Sequence, residues 1–568
     1  MTNAAIADNF SLLSKLMDIH SENSFKAKSY AIAAFYIEKL PEELSVLPKE
    51  KIFVIKGIGE SVAQKIVEQL ENNSLKILED YIQKTPQGII EMLQYIKGLG
   101  PKKIAIIWKE MSIDSIGELL YACNENRLTL YKGFGEKTQE SVKKSIEFYL
   151  NTLGSYLYAQ IEIYATTFNK NLQHFFKDYK LELTGEFKRQ FSVIEKLEWV
   201  TTLPIESIKS FFTTNGYIVE EEKESSISIK GNENVLLEFH FATENKFYAT
   251  LFRHNCSEAF LNKWIENFGF DETKNYSSEE EIFAINNVEF IPAFKREDAI
   301  IISLAKEKKI PKTIQEKDIT AIIHSHSKWS DGSNTLEEMV KAAIAKGLQY
   351  LVISDHSKTA FYAQGLSVER VLAQHQEIDE LNKKYAPFKI FKSIESDILN
   401  DGSLDYDEDI LKQFDLVIAS VHSNLTMTED KAMLRLMNAI ENPYTTILGH
   451  LTGRLLLSRS GYPVNHNKII DACAANNVAI ELNAHPRRLD IDWRFINAAL
   501  EKNVLISINP DAHNIEGFDD CKYGVLVAQK TLLTKEQNLS SFSLQQFELF
   551  LKNKKVLLNS RVISLSNT

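Results

Sequence analysis

From about residue 320 onward, the chain repeats one pattern, a short apolar run that ends in histidine, aspartate or glutamate. The runs are TAIIHSH, YLVISDH, IFKSIESD, LVIASVH, TILGH, AIELNAH and LISINPDAH. Apolar runs of this length that alternate with helical segments predict parallel β-strands, and the carboxyl ends of such strands meet at one edge of a barrel or sheet. The pattern therefore predicts a β/α architecture whose polar strand ends share one pocket.

The residues that end these runs are the types that bind metal ions. Nine of the 13 histidines follow residue 320, and none of the runs contains cysteine. Imidazole and carboxylate ligands suit Mn²⁺, Zn²⁺ or Fe²⁺, and a carboxylate can bridge two ions. We predict about two to three divalent ions, with Mn²⁺ as the first candidate. The candidate ligands are His324, His326, Asp331, His356, Glu395, His422, His450, Asp511 and His513.

Length and composition exclude several protein classes. A chain of 568 residues, 44% hydrophobic and 25% charged, is typical of a globular protein with several domains. No apolar stretch reaches the roughly 18 residues of a membrane span, and the N-terminus lacks the features of a signal peptide. Four widely spaced cysteines argue against a disulfide framework or a thiolate zinc site. We expect a cytoplasmic protein and take it to be a monomer.

Three GxG motifs, in IKGIGESVAQKI, IKGLGPKKIAII and YKGFGEKTQESV, lie between helical patterns in the first 150 residues. They predict helix-hairpin-helix motifs, because glycine permits the tight turn and the next helix begins with free N–H groups that can hold a phosphate. A single GxG is also compatible with a plain turn, and the net charge of −12 is unusual for a nucleic-acid-binding protein. The predicted DNA contacts are Gly57, Gly59, Gly98, Gly100, Lys102, Lys103, Gly133, Gly135 and Lys137.

The C-terminal motifs HSHSKWSDG, ISDHS, IESDILNDGSLDY, ASVHS, GHLTGRLL, ELNAHPRRLD and PDAH resemble, in order and spacing, the PHP (polymerase and histidinol phosphatase) domain of bacterial and archaeal family X DNA polymerases. The resemblance implies a distorted (β/α)7 TIM-like barrel that trims DNA from the 3′ end. It implies a catalytic role for Glu395, Asp511 and Arg454. By the same resemblance, the ligands divide into three sets: His324, His326, Glu395 and Asp511; Glu395 again with His422 and His450; and Asp331, His356 and His513.

Several basic residues lie close to the candidate ligands in the sequence. Such side chains suit the binding of phosphates that do not react. For Arg459 and Arg488, an exposed ion pair is an equally acceptable interpretation. The predicted phosphate-binding residues are Lys358, Arg454, Arg459 and Arg488.

The remainder of the chain resembles the other parts of the same family. The opening run predicts two amphipathic helices, and Lys65 matches a lysine that forms a Schiff base in some family members, although a solvated helix lysine is the favoured interpretation. The implied order is a small N-terminal helical domain (1–85), a fingers-like region (86–150), a polymerase-β-like α/β palm and thumb (151–302), a linker (303–319) and the PHP barrel (320–568).

The palm-like segment departs from the family pattern where the polymerase site lies. Gly185 and Arg189 match the family's glycine-serine-x-arginine-arginine motif, but Lys196 and Glu198 occupy the positions of its aspartate pair, and Glu238 that of its third aspartate. Two-metal nucleotidyl transfer needs carboxylates on alternate strand residues, and a lysine among them repels the metal ion. We therefore predict a degenerate polymerase site.

Together these features predict a metal-dependent DNA phosphodiesterase, a 3′-5′ exonuclease in DNA repair such as base excision repair. Its partner would be gapped or 3′-ended DNA, bound without sequence preference and away from any membrane. Three alternatives stay open at this point. They are an active gap-filling polymerase with an accessory exonuclease, a small-molecule phosphatase of the PHP superfamily, and a DNA-end scaffold whose metal ions are structural.

Overall fold

The computed structural model describes residues 1–21, 24–124, 128–152, 154–231, 234–457 and 460–566. The chain forms two compact units, Met1–Leu153 and Gly154–Thr568. The finer domain limits that the sequence predicts within these units stay predictions.

The N-terminal unit is helical throughout its described residues. Apolar side chains at helical spacing, such as Ile6, Phe10 and Leu13 on the first helix, are fully buried in a shared core. The opening run forms α1 and α2, as its periodicity predicts. The helices are α1 (Asn3–Ile19), α2 (Ser24–Glu38), α3 (Lys49–Ile52), α4 (Glu60–Asn72), α5 (Lys76–Gln83), α6 (Gln87–Tyr95), α7 (Pro101–Lys109), α8 (Ile116–Asn124) and α9 (Glu136–Thr152).

The three glycine motifs form tight turns before α4, α7 and α9. The first glycine of each pair has left-handed backbone geometry, with φ of +86° at Gly57, +83° at Gly98 and +95° at Gly133. These are conformations that glycine adopts without steric cost. Each helix begins directly after the second glycine of its motif, so its first N–H groups lie at the turn.

The second unit begins with a five-stranded mixed sheet in the order β2-β4-β7-β6-β5, with β4 and β7 parallel and the other neighbours antiparallel. Leu197, Trp199 and Phe239 point into its core. The elements are β1 (Tyr156–Leu157), α10 (Tyr158–Phe175), β2 (Leu181–Thr184), α11 (Gly185–Lys188), β3 (Val193–Ile194), β4 (Lys196–Thr201), α12 (Ile205–Thr214), β5 (Ile218–Glu222), β6 (Ser226–Lys230), β7 (Leu236–Phe241), α13 (Phe247–His254), α14 (Glu258–Phe268), α15 (Glu279–Ala284) and α16 (Ile300–Lys306).

A ring of seven parallel strands follows, paired in chain order from β8 to β14. A parallel bridge between Ser325 and Ala512 joins the segments that follow the first and last strands. The strands are β8 (Ala321–Ile322), β9 (Tyr350–Ile353), β10 (Lys389–Asp397), β11 (Leu416–Ser420), β12 (Ile447–Leu448), β13 (Ala479–Asn483) and β14 (Ile506–Asn509).

Helices surround this ring, so that the strands are buried almost throughout. Burial on both faces explains why the strands consist of continuous apolar runs. The architecture confirms the predicted distorted β/α barrel. The helices are α17 (Leu336–Ala345), α18 (Val368–Lys384), α19 (Glu408–Leu411), α20 (Glu429–Glu441), α21 (His466–Asn476), α22 (Ile496–Glu501), α23 (Cys521–Ala528) and α24 (Leu544–Ser566).

Two further expectations concern the whole chain. All four cysteines are buried and unpaired, which confirms that the fold uses no disulfide framework. None of the helices in the described ranges has both the length and the hydrophobicity that crossing a membrane requires.

Candidate metal centre

The nine predicted ligands gather at the carboxyl ends of the barrel strands, in a cluster that we call the barrel centre. Glu395 lies on β10, and the other eight residues follow β8, β9, β11, β12 and β14. Their side chains form overlapping groups. Three groups have ligand atoms within 4.8 Å of one another: His326, Asp331, His356 and His513; His324, His326, Glu395 and Asp511; and His356, Glu395 and His422.

Glu395 lies at the middle of the barrel centre, and only 1% of its side chain is exposed. Its Oε1 lies 3.4 Å from Nε2 of His324, 3.2 Å from Nε2 of His422 and 2.9 Å from Nε2 of His450. Its Oε2 lies 3.0 Å from Nδ1 of His356. Both oxygens therefore face imidazole nitrogens, an arrangement suited to a carboxylate that bridges two ions.

Asp511 and Asp331 contact different histidines of the cluster. Oδ1 of Asp511 lies 3.1 Å from Nε2 of His326 and 3.4 Å from Nε2 of His324. Oδ2 of Asp331 lies 3.4 Å from Nε2 of His513. His326 belongs to two of the groups, whereas the family resemblance assigns it to one.

The donor set fits divalent cations. Nε2 of His324, Nδ1 of His326 and Oε2 of Glu395 are buried and make no hydrogen bond to any residue that the structure describes. Burying such atoms without a partner is costly, and a bound cation would give each one a partner. Burial and the neighbouring His513 and His356 lower the pKa of His326 to about 3, so its imidazole is neutral and has a lone pair to offer. These residues would hold the ions.

The two central carboxylates are ionised. Burial works against their charge, yet nearby histidines keep the pKa of Glu395 and of Asp511 well below the usual range, with His422 acting most strongly on Glu395 and His324 on Asp511. Asp511 also has left-handed backbone geometry, with φ of +53°. This geometry is uncommon outside glycine, although aspartate tolerates it better than most residues.

Two carboxylates that the sequence analysis did not predict, Glu481 and Asp397, accept hydrogen bonds from candidate ligands. Glu481, fully buried on β13, accepts hydrogen bonds from Nδ1 of His324 at 2.7 Å and from the backbone N–H of His450 at 3.1 Å. The amides of Asn483 and Asn509 also donate to it. Asp397 accepts from Nδ1 of His422. Such partners fix the orientation of a ligating imidazole.

Both missed residues left a signal in the sequence. Asp397 stands two positions after Glu395 on the same strand, so the two side chains share a face. Glu481 is the one carboxylate within the apolar run AIELNAH. A buried charge inside a strand needs a charged or hydrogen-bonded partner.

Two of the predicted phosphate-binding arginines lie at one side of the barrel centre. Nε of Arg488 lies 3.4 Å from Oδ2 of Asp511. Arg454 instead donates from Nε to the carbonyl oxygen of Arg488 at 2.9 Å, from a terminal nitrogen to Asp492 at 2.7 Å, and from the other to the carbonyl oxygen of Leu489. Arg454 therefore braces the loop that carries Arg488.

Of the other two predicted phosphate-binding residues, Lys358 and Arg459, the structure describes only Lys358. Lys358 is exposed, with Nζ 5.3 Å from the centre of the Tyr406 ring. Arg459 lies outside the described residues. Phosphate binding by all four basic residues stays a prediction.

The predicted polymerase residues form a second cluster, the palm cluster (Lys196, Glu198 and Glu238). Glu198 and Glu238 are paired neighbours on the parallel strands β4 and β7. Nζ of Lys196 lies between them, 3.0 Å from Oε1 of Glu198 and 2.6 Å from Oε2 of Glu238. The lysine ammonium thus occupies the space between the carboxylates.

Arg189, the arginine that remains of the family's palm motif, makes a hydrogen bond through each of its three guanidinium nitrogens. Nε donates to Oε1 of Glu297 at 2.7 Å and a terminal nitrogen donates to Oε2 at 3.3 Å, while the other donates to the carbonyl oxygen of Cys256. The barrel residue Lys530 donates to the carbonyl oxygen of Arg189 and lies 3.5 Å from Glu297. This arginine links the palm to the barrel.

The predicted residues of the N-terminal unit are mostly exposed. Lys102 and Lys137 point to solvent, and Nζ of Lys103 donates to the carbonyl oxygen of Gly98 at 3.3 Å. Lys65 is half-buried and pairs with Glu68 one helical turn away. DNA contact by the hairpins and lyase chemistry at Lys65 stay predictions.

Comparison with known proteins matches both ends of the chain to family models. A Helix-hairpin-helix domain model matches residues 1–75, a SAM-like Helix-hairpin-helix tandem model residues 90–147, and a PHP domain model residues 323–485. The sequence is 31% identical over 556 residues to DNA polymerase/3'-5' exonuclease PolX of Bacillus subtilis, covering 94% of this chain and 97% of that protein. The chain belongs to the PolX family. Its helix-hairpin-helix region and its PHP barrel therefore confirm the resemblance that the motifs indicate.

Shorter relatives match about a third of this PolX chain. A protein of Thermoanaerobacter sp. (strain X514) named a probable phosphatase is 30% identical over 207 residues, 34% of this chain and 77% of the relative. A probable phosphatase of Caldicellulosiruptor bescii is 27% identical over 236 residues, 39% of this chain and 89% of the relative. This chain thus shares sequence with proteins whose names indicate phosphate chemistry.

Proposed function

We propose that this PolX chain is a metal-dependent DNA phosphodiesterase that removes nucleotides from 3′ ends, and that its palm does not synthesise DNA. The observation that carries the proposal is the barrel centre, where nine imidazole and carboxylate side chains converge. The name of the Bacillus subtilis relative, which includes 3'-5' exonuclease, agrees with this function.

Each part of the barrel centre has a role in the proposed hydrolysis. When bound, about two to three divalent ions would lower the pKa of a bound water and neutralise the charge of the phosphodiester. We propose Mn²⁺ as the first candidate, with Zn²⁺ and Fe²⁺ as the alternatives. Glu395 and Asp511 hold their negative charge inside the pocket. Arg488 offers guanidinium N–H groups to phosphate oxygens that do not react. Arg454 acts through Arg488, whose backbone carbonyl oxygen it holds at 2.9 Å.

Two contacts support an inactive polymerase site. Lys196 sits between Glu198 and Glu238, where its positive charge opposes the binding of the two ions that nucleotidyl transfer needs. Arg189 directs three of its five N–H donors to Glu297 and Cys256, so a nucleotide phosphate would have to compete with that pairing. The alternative, an active gap-filling polymerase, is favoured by the word polymerase in the relative's name.

The helical hairpins favour DNA over a small phosphorylated molecule as substrate. Three turns each present the first N–H groups of a helix, which can hold backbone phosphates without reading bases. The matches to probable phosphatases keep the small-molecule alternative open. Binding through phosphates should weaken steeply with salt. Loss of Lys137, an exposed hairpin lysine, should lower the salt slope by about one.

One experiment separates these functions. The purified chain is incubated with Mn²⁺ and a gapped duplex whose primer is labelled at its 5′ end, with and without nucleotides. The proposal expects the primer to shorten in both reactions, and a Glu395→Gln chain to leave it unchanged. Template-dependent lengthening by Glu395→Gln would overturn the proposed loss of synthesis. Release of phosphate from a small phosphomonoester with no shortening of DNA would establish the phosphatase alternative.

A further inference from the structure

Two histidines stand next to the palm cluster, on the same side of the five-stranded sheet. His240 follows Glu238 by two residues on β7, so both side chains leave the strand on one face. His254 is the last residue of α13. Neither histidine belongs to the family's palm motif, and the proposed function uses neither of them.

These histidines and Glu198 form a compact set of possible ligands. Nε2 of His240 lies 3.3 Å from Oε1 of Glu198. The rings of His240 and His254 stack with centroids 3.7 Å apart. All three residues have a ligand atom within 4.8 Å of the others. The side chains of Glu198 and His240 are only 8% and 11% exposed.

The backbone holds Glu198 in place. Gly185 has a φ of +65°, and a Cβ atom on it would lie 1.9 Å from Oε2 of Glu198. The glycine therefore makes room for one oxygen of the carboxylate. The other oxygen, Oε1, faces both Lys196 and His240, and its two lone pairs allow it to accept from both sides.

Charge and hydrogen bonding favour a cation at this set. Glu198 and Glu238 carry two negative charges against the single charge of Lys196, which leaves one negative charge uncompensated by these three groups. Two stacked imidazoles at 3.7 Å cannot both be protonated without strong repulsion. A neutral imidazole has a free lone pair. Within the described residues, no hydrogen bond reaches either ring nitrogen of His254.

We infer that Glu198, His240 and His254 bind one transition-metal ion of the Zn²⁺ type, in a site separate from the barrel centre. Two imidazoles and one carboxylate are a known three-ligand set for Zn²⁺ that leaves a further position to water. Mg²⁺ is a poor fit, because it prefers oxygen ligands and octahedral geometry. The ammonium of Lys196 takes the place of a cation between the two glutamates, and the Zn²⁺-type ion would use the other lone pair of the same Oε1 atom of Glu198.

The test measures the number of zinc ions bound per 568-residue chain. Wild type, His254→Ala and His240→Gln are each saturated with Zn²⁺, passed through a desalting column and measured by atomic emission. His174→Ala, which removes an exposed histidine from α10 of the same unit, is the matched control. All three changes are repeated in a Glu395→Gln/His422→Ala background, with that background itself as the reference, so that a failure of the barrel centre does not affect the result.

The inference expects one zinc fewer per chain in His254→Ala and in His240→Gln, and no change in His174→Ala, in both backgrounds. His254 is partly exposed at a helix end, so His254→Ala should fold even if the buried His240→Gln does not. An equal zinc content in wild type and His254→Ala would overturn the inference. Equal losses in His254→Ala and His174→Ala would also overturn it, because they would indicate nonspecific binding.

Discussion

The barrel centre and the palm cluster each place a buried glutamate on a strand with a parallel neighbour, but they differ in the source of the compensating positive charge. In the palm cluster, Lys196 lies within 3.0 Å of Glu198 and 2.6 Å of Glu238. In the barrel centre, Glu395 is surrounded by imidazoles, one of which, His324, has a buried Nε2 without a hydrogen-bond partner. The palm cluster contains its own cation, the ammonium of Lys196. In the barrel centre, imidazole lone pairs such as that of His326 have no hydrogen-bond partner among the described residues and are free to bind ions.

This difference shows how one substitution changes the chemistry of a carboxylate pair. An internal ammonium is covalently tethered and cannot be exchanged, whereas imidazole and carboxylate ligands bind ions reversibly. The same type of side chain, a buried glutamate, therefore pairs with a tethered ammonium in one region and faces only exchangeable partners in the other. The predictions below test that contrast, from the largest expected effect to the smallest.

Glu395→Gln should lower 3′-end hydrolysis by roughly 10³-fold, the upper range for loss of one preorganised electrostatic contact. The amide keeps the shape of the side chain but removes the charge at the middle of the barrel centre. The measurement is single-turnover cleavage with Mn²⁺, together with the metal content of the chain. Glu429→Gln, an exposed glutamate on α20, is the control. Full activity and full metal content in Glu395→Gln would contradict the role assigned to the barrel centre.

Glu481→Gln should weaken Mn²⁺ binding by about 10- to 100-fold, as expected when the partner of a ligating histidine is lost. Glutamine has one oxygen, so it cannot accept all four hydrogen bonds that Glu481 accepts. Titration of the metal-free chain with Mn²⁺ measures the affinity. Glu441→Gln, exposed at the end of α20, should leave it unchanged. Equal affinities for Glu481→Gln and wild type would show that His324 keeps its orientation without this partner.

Lys196→Met should destabilise the second unit by about 1–2 kcal/mol at pH 7, because two poorly exposed carboxylates lose their shared partner, although partial exposure of the lysine limits the cost. Burial opposes ionisation of Glu198, yet His240 and Lys196 lower its pKa from 4.5 to about 2. The stabilisation is therefore present above pH 4.5 and is lost as the pH falls towards 2.

Urea denaturation of both chains at pH 7 and pH 3 measures this effect, with Lys223→Met at an exposed ion pair as the control. The difference between Lys196→Met and wild type should be smaller at pH 3. A difference that grows on acidification would contradict the sign of the predicted coupling.

Binding of Mn²⁺ to the metal-free chain at about pH 7.5 should release about three protons. Burial acts in the opposite direction, but Glu395 and Asp397 raise the pKa of His422 to about 10, and Asp331 and Asp511 raise that of His513 to about 9. Glu481 and Asp511 likewise raise the pKa of His324 well above its usual range. All three imidazoles are charged before they bind metal and must become neutral to serve as ligands. Calorimetry in two buffers of different protonation enthalpy gives the number released. It should fall as the pH rises through 9 and 10; a rise would contradict the assignment.

The barrel and its ligands could be predicted from the sequence because both are encoded locally. The candidate ligands stand at or shortly after the ends of apolar runs, and parallel strands bring such ends together whatever the chain between them does. The family's palm motif likewise predicts that Glu198 and Glu238 lie on neighbouring strands, and the structure pairs them on β4 and β7. Local patterns carry this information without any tertiary contact.

Contacts between distant loops could not be predicted in this way. The pairing of Arg189 with Glu297 joins residues 108 positions apart, and Arg454 contacts a loop more than 30 positions away. His254 reaches Glu198 from a helix end, so no strand periodicity marks it. Such partners depend on how loops and helices pack, and a basic residue near a motif gives no indication of which anion it will meet.

The ring of strands closes where the segment after β8 meets the segment after β14, and His326 contacts Asp511 across 185 residues of sequence. During synthesis the ribosome therefore releases His324 and His326 long before their partners exist. A nascent chain that stops short of Asp511 lacks a ligand of the barrel centre, however well its first strands fold. Complete metal binding should consequently require translation of the whole barrel, and premature termination before Asp511 should yield chains without a complete barrel centre.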